Sequence, residues 1–312
     1  MEFKEPALKW RKLRTALHSS DTAMLTPFEF HRLGQGAFCE GVFRVEHRKH
    51  GIIAVKVVGQ KNTESLLREV GLLQELDHEN ILRCLAKAQV KEHYAYAMLE
   101  YMDGCSDLFT FIMDRSPTIP RQKLKRTVSD FSLVGRRHIL LCVLQALVYL
   151  DSKGIVHNDV KPENVLVGAS TMSRVNEETV VKLIDFGLAC RVEEIGRGDL
   201  GYGGSTAWLA PEKLSEDGVG VGPAGDVYTF GLLVWATMTG NFPYVVPTDL
   251  GAPELYKFFE VKLKQIQAKI VDEEMGLLAR RKVKQLLLQT LKFEPRHRKT
   301  AKQLLECEFF EA

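Results

Sequence analysis

Residues Val156–Val167 read VHNDVKPENVLV. Apolar residues flank a polar middle that holds Asp159, Lys161 and Asn164. A carboxylate, an amine and a carboxamide on one short loop can hold a proton, a phosphate and a cation. A neighbouring residue, Asn158, sits directly before the acid with no role assigned by the pattern itself. Just downstream, VLV and VKLID read as two short strands split by an insertion, GASTMSRVNEET (168–179). The second strand closes on Asp185, followed by Phe186 and Gly187. A carboxylate at a strand end is well placed to hold a hard divalent cation, although Asp-Phe-Gly is equally a way to begin a turn.

Upstream, strand signals come in quick succession. FEFHRL alternates apolar and polar residues, and VFRVEH and IIAVKVV follow across a turn at RKHG, with Gly51 at its end. ESLLREVGLLQEL places Leu66, Val70, Leu73 and Leu76 on one helical face. YAYAMLEYM reads as another strand. The first ~100 residues are therefore expected to form an antiparallel sheet with one helix. From Asp103 the pattern turns helical: GRRHILLCVLQALVYLDSK is an amphipathic helix ending near Gly154, VYTFGLLVWATMTG is more uniformly apolar and ends at Gly240, and LARRKVKQLLLQTL is a third. RSPTIPRQKLKRTVSD reads as an exposed, basic, Pro-interrupted insertion, and the basic insertion, placed at 121–137, has a solvated surface as its default.

Composition sets wide bounds. The 312 residues are 45% apolar and 26% charged, with a formal net charge of +2, which gives no electrostatic case for nucleic acid or a membrane surface. No continuous apolar run approaches the ~18 residues of a membrane span; the longest, around Ile139–Leu150, is broken by Gln145 and reads as a buried helix. The start of the chain, MEFKEPALKWRKLR, is charged throughout, so a secretory signal is not expected there. Cys39, Cys84, Cys105, Cys142, Cys190 and Cys307 are scattered without metal-ligand spacing, so reduced thiols in an intracellular, reducing compartment are expected.

Two further features bear on chemistry. In LGQGAFCEGVFRV, Gly34 and Gly36 let the backbone approach a phosphate, though a glycine-rich hairpin alone is more often just a turn. Lys56, in AVK, lies where a strand would face the core, and its ammonium there needs a carboxylate or a phosphate; Glu69 on the following helix is an acid in apolar surroundings. The bland alternative is a solvated lysine at a strand end and a glutamate on a helix surface.

Taken together, GQGAF, Lys56 in AVK, Glu69, HNDVKPEN, DFG at 185–187, APE at 210–212, DVYTFG from Asp226 and Arg298 in EPRHRKTAKQLL resemble the eukaryotic protein kinase family, in that family's order and from about Phe28 to Phe310. The resemblance implies an α+β bilobal fold, with a small antiparallel sheet lobe carrying one helix, a larger mainly helical lobe, and an ATP site in the cleft. Its domains would be an extension over 1–27 and a kinase domain over 28–312, divided into 28–102 with the hinge and 103–312.

By the same resemblance, Asp159, Lys161, Lys56 and Glu69 are the catalytic set. Asp159 would orient the substrate hydroxyl and accept its proton, Lys161 would meet the γ-phosphate, and Lys56, oriented by Glu69, would contact the α- and β-phosphates. Asn164 and Asp185 would hold Mg²⁺, with Mn²⁺ as a substitute. Leu33, Gly34, Gly36, Val42, Ala54, Lys56, Leu99, Asp107, Leu166 and the backbones of Glu100 and Met102 would hold ATP, Asp107 at its ribose. Glu212 and Arg298 match a buried ion pair of the helical lobe, and His157 and Phe186 match packing residues. Lysine two residues after the acid is the pattern of serine/threonine kinases, so a protein substrate, no nucleic acid, no membrane span and a monomer are expected. A nucleotide-binding pseudokinase is the alternative, and a small-molecule kinase is disfavoured by APE and Arg298.

Two departures stand out. Asn158 replaces an arginine that in many kinases pairs with an activation-loop phosphate, so activity is expected not to depend on phosphate at Tyr202, Ser205 or Thr206 through that residue. The third glycine of the loop is replaced by Cys39, and Val42 arrives one residue late, which predicts a bulge there.

Overall fold

The computed structural model describes residues 31–34, 39–47, 49–113, 132–169, 174–195, 206–214, 222–242, 244–247, 250–272 and 277–311. It divides into two units. The first runs to Leu76 and resumes over Arg83–Met102; the second takes Asp77–Leu82 and everything from Asp103. The six-residue segment Asp77–Leu82, assigned from sequence to the sheet lobe, thus belongs with the helical unit. Its backbone explains why: Leu82 N–H donates to Leu183 O at 3.0 Å and Leu183 N–H donates to Asn80 O at 2.8 Å, so it lies along a strand of the second unit.

The first unit is a sheet in the order β1-β2-β3-β5-β4, all antiparallel: β1 (His31–Gly34), β2 (Gly41–His47), β3 (Gly51–Gly59), β4 (Gln89–Val90) and β5 (Tyr94–Glu100). Alternation sorts β3 onto two faces. Ile53, Val55 and Val57 join Phe43, Val45, Tyr94 and Tyr96 in one buried cluster. Ala54, Lys56 and Val58 point the other way. There the helix α1 (Thr63–Leu73) packs, burying Leu66, Val70 and Leu73 along the expected stripe, while Leu76 is buried just past the helix end. Each such side chain contributes about 1.5–3 kcal/mol from burial.

A bulge is present, but on the opposite strand from the one expected. His31 pairs Arg44, Arg32 pairs Phe43 and Gly34 pairs Val42, so Leu33 is the extra residue, on β1. The β2–β3 register from Gly41 to His47 is continuous, because its hairpin fixes it through seven paired residues. The irregularity is left to the edge strand, which is paired on one side only.

The second unit holds short strands β6 (Ser106–Asp107), β7 (Ile155–Val156), β8 (Val165–Val167), β9 (Val181–Leu183) and β10 (Cys190–Arg191), with pairings β6-β8-β9 and β10-β7. Its helices are α2 (Leu108–Met113), α3 (Leu133–Ser152), α4 (Pro223–Thr239), α5 (Ala252–Asp272), α6 (Leu277–Thr290) and α7 (Ala301–Leu305). α3 begins at Leu133, so the tail of the basic stretch at 121–137 is helical; Ser132 caps it by accepting from Gly135 N–H at 3.0 Å. This helix is long and apolar enough, by length and mean hydropathy, to cross a membrane, but 56% of it is buried inside the fold, as a core helix is. α4 is buried on nearly all sides, as its uniform apolarity requires, and ends at Gly240, whose φ of +71° is the left-handed cap that glycine favours. α5 was not anticipated, although Leu255, Phe259, Leu263 and Ile266 recur at helical spacing and are all buried. None of the six cysteines is in a disulfide.

Candidate active site

In the first unit, sheet register sets the site. Val42 pairs Lys56, and Lys56 pairs Ala97; Ala54 pairs Leu99. Opposed residues of an antiparallel pair share a face, so Val42, Ala54, Lys56 and Leu99 lie on one side. On that side the Lys56 ammonium bonds both carboxylate oxygens of Glu69 at 2.8 Å, with side-chain exposures of only 12% and 5%. This resolves the paired question posed by sequence: neither residue is a solvated surface charge. Ala54 and Leu99 are buried, Val42 is half-buried, and Leu33 is exposed on the bulge. A side chain built at Gly34 would meet nothing within 4 Å. Glu100 N–H donates to Arg83 O at 3.0 Å, and Glu100 and Met102 are partly buried. Gly36 lies outside the described residues, as do Tyr202 and Ser205.

In the second unit, Asp159 is 8% exposed and is gripped by its neighbours. Lys161 Nζ reaches Asp159 Oδ2 at 2.6 Å, and Asn164 Nδ2 donates to Asp159 O and Oδ2, each at 2.8 Å. Both side-chain donors converge on Oδ2, which leaves Oδ1 to meet a hydroxyl. With its NH₂ group turned to Asp159, the Asn164 carboxamide must direct its oxygen the other way. The 3-10 turn Pro162–Asn164 leads straight into β8, and Val165 pairs Leu183. Asn164 and Ile184 therefore face each other across the ladder end, joined by Ile184 N–H to Asn164 O at 2.9 Å. Asp185 is the next residue, exposed, with φ at +64°. A carboxamide oxygen beside a carboxylate suits Mg²⁺, which takes hard oxygen donors and shares its shell with phosphates. No cluster of three His, Cys, Asp or Glu side chains exists among the described residues to hold a metal unaided.

The loop is held from behind. His157, fully buried, accepts Asp159 N–H on Nδ1 at 3.2 Å, so its Nε2–H donates to Ile184 O at 3.1 Å. Burial lowers its pKa, against the fields of Asp226, Asp159 and Asp185, and the neutral tautomer is the one that these bonds need. Phe186 packs edge-on to its ring at 4.7 Å. Asp226 accepts His157 N–H at 2.7 Å and Asn158 N–H at 2.8 Å, one on each carboxylate oxygen. Burial raises the Asp226 pKa, opposed by His157, those two amides and Lys213.

A model of the protein kinase domain family matches residues 29–310. The chain belongs to the protein kinase family. Among similar proteins, the serine/threonine-protein kinase ULK1 of Homo sapiens is 31% identical over 283 residues, covering 86% of this chain and 24% of that protein. The serine/threonine-protein kinase CG17528 of Drosophila melanogaster is 33% identical over 228 residues, 71% of this chain and 27% of that protein. The serine/threonine-protein kinase RAD53 of Saccharomyces cerevisiae is 29% identical over 243 residues, 72% and 26% respectively. This kinase domain thus spans about a quarter of the length of these relatives.

Three features of the kinase domain were not read from its sequence. Asn158 has φ at +66°, a left-handed conformation that asparagine tolerates better than most residues, and its Nδ2 donates to Leu188 O and Cys190 Sγ, each at 3.2 Å. It ties the Asp159 loop to the strand after Asp185. Asp107, assigned to ribose, has both carboxylate oxygens on Thr110: Oδ1 accepts its N–H at 2.7 Å and Oδ2 its hydroxyl at 3.0 Å, capping α2. An Asp ahead of an apolar run, with Thr three residues on, was a visible cap signal. Lys213, just past APE, reaches the back of the loop and had no signal at all. The pair Glu212–Arg298 forms as the family pattern implies, buried, with Nη2 to Oε2 at 2.7 Å.

Proposed function

We propose that this chain transfers the γ-phosphoryl group of Mg·ATP to serine or threonine hydroxyls of proteins. The observation that carries the reading is the Asp159 cluster, in which a carboxylate is held on one oxygen by Lys161 and Asn164 and turns the other to a hydroxyl. Asp159 orients the nucleophile and accepts its proton. Lys161, already beside Asp159, meets the γ-phosphate as charge moves onto it. In the first unit, Lys56 contacts the α- and β-phosphates, kept in place by both oxygens of Glu69. Asn164 and Asp185 hold Mg²⁺, or Mn²⁺ in its place, and the ion neutralises phosphate charge when bound. Lys161, two residues after the acid, and the similarity to serine/threonine-protein kinases favour serine/threonine over tyrosine. The kinase acts as a monomer, and it works in a reducing compartment, a reading with which six cysteines outside any disulfide agree.

The test is transfer of label from Mg·ATP to peptides carrying Ser, Thr or Tyr, with Asp185→Asn as the inactive control. Label on Ser or Thr in wild type alone supports the reading. ATP binding without transfer would replace it with a nucleotide-binding module.

A further inference from the structure

Lys213 Nζ donates to Asn158 O at 2.8 Å. The other end of the same peptide unit, Asp159 N–H, donates to His157 Nδ1 at 3.2 Å. The peptide that enters Asp159 is therefore gripped at both ends by side chains. One peptide further back, Asn158 N–H is taken by Asp226. With φ at +66° on Asn158, the chain reverses sharply between these grips, and the direction in which Asp159 leaves the backbone depends on how that peptide plane is set.

The electrostatics points the same way. Lys213 is partly buried, and desolvation lowers its pKa; the carboxylates of Asp226, Asp159 and Glu212 and the Cys190 thiol oppose this. Glu212 already has Arg298 and Asp159 already has Lys161. Asp226, 5% exposed, accepts backbone N–H groups on both oxygens, and with His157 held neutral Lys213 is the cation whose charge bears on it. A buried carboxylate needs such a charge to remain ionised.

We infer that Lys213 is a positioning residue for phosphoryl transfer: its side-chain ammonium clamps the Asn158–Asp159 peptide and so aims the Asp159 carboxylate, without need of an added phosphate. This rests on the kinase reading above. Lys213 touches no reacting atom in this scheme; it acts through the loop.

Three variants separate the parts of the clamp. Lys213→Arg keeps charge and donor, Lys213→Gln keeps a donor only, and Lys213→Met keeps neither. The expected result is a fall of about 100-fold in kcat for Lys213→Met, the scale of a small misplacement of a reacting group, with KM for ATP unchanged. Lys213→Gln should lose less, and Lys213→Arg should recover most of the rate. Amide exchange resolved at Asp159 should quicken about tenfold in Lys213→Met, as for loss of one supporting hydrogen bond, while amides of α4 keep their protection. If Lys213→Met does not fold, Lys213→Gln decides by the same two readings. Unchanged kcat together with unchanged exchange overturns the clamp. Equal loss of kcat in all three variants, Arg included, also overturns it. Should wild type transfer no phosphate, faster exchange at Asp159 alone still upholds the clamp and only the catalytic reading falls.

Discussion

Lys161 and Asn164 both bond one carboxylate oxygen of Asp159, and the proposed catalytic role falls to the other. Asp159→Asn should therefore bind ATP normally and lose phosphoryl transfer, measured as kcat with an independent nucleotide-binding titration. Behind it, His157 must stay neutral to accept from Asp159. Its folded pKa lies below the ordinary value of ~6.5 because of burial. The stabilisation is therefore present above that ordinary value and is lost as pH falls through the lower, folded one. Thermal unfolding followed from roughly pH 8 to pH 5 should show a decline that flattens in His157→Phe, which cannot titrate; parallel curves would remove His157 from the account. Asn158 tests backbone geometry directly. At φ +66°, Asn158→Gly loses only the two side-chain bonds, whereas Asn158→Ala also meets the left-handed penalty. Alanine should unfold about 1 kcal/mol more easily than glycine in denaturant titration. Since the Asn158 side chain is already bonded within the fold and carries no charge, phosphatase treatment and Thr206→Ala should each leave kcat unchanged.

At the scale of elements, contacts between helices set the tolerance to change. A Cβ on Gly231 of α4 would run into Thr290 Oγ1 and Leu291 Cδ2 at the end of α6. Gly231→Ala should cost about 1–3 kcal/mol by overpacking, visible as a lowered midpoint of unfolding with an unchanged denaturant slope. Removing Arg298 strands Glu212 inside the unit, so Arg298→Met should cost about 3–5 kcal/mol. The long elements were legible: β2, β3, β5, α1, α3 and α4 each carry enough residues for a period of two or of 3.6 to show. β6, β7 and β10 have two residues each, too few for any period, and exist only because a partner strand is there to bond. The residues proposed to carry the chemistry stand out in the sequence for another reason: each sits in a local pattern of its own. Lys213 acts across 55 positions of chain on a carbonyl, which no side-chain pattern reveals.

On the scale of the molecule, the chain falls into two compact units, and the buried cluster of the first lets damage there be local. Ile53→Ala opens a void in the sheet core and should cost about 2–5 kcal/mol, with exchange protection falling in β2, β3 and β5 before it falls in α4. Assignment of Asp77–Leu82 to the second unit was beyond sequence reading, because DHENIL has no period and is placed by bonds to residues about a hundred positions away, such as Asn80 Nδ2 to Val181 O at 3.1 Å. The grip on Asn158 has a further consequence, for chemical ageing. Spontaneous deamidation of an asparagine requires the nitrogen of the next peptide to attack the side-chain carbonyl and close a succinimide ring. Here that nitrogen, Asp159 N, is held by His157, and the carboxamide is held by Leu188 and Cys190. The folded enzyme should store Asn158 intact, and isoaspartate at this position would accumulate only in the fraction of molecules that has unfolded, making it a chemical record of how long each sample spent out of its native state.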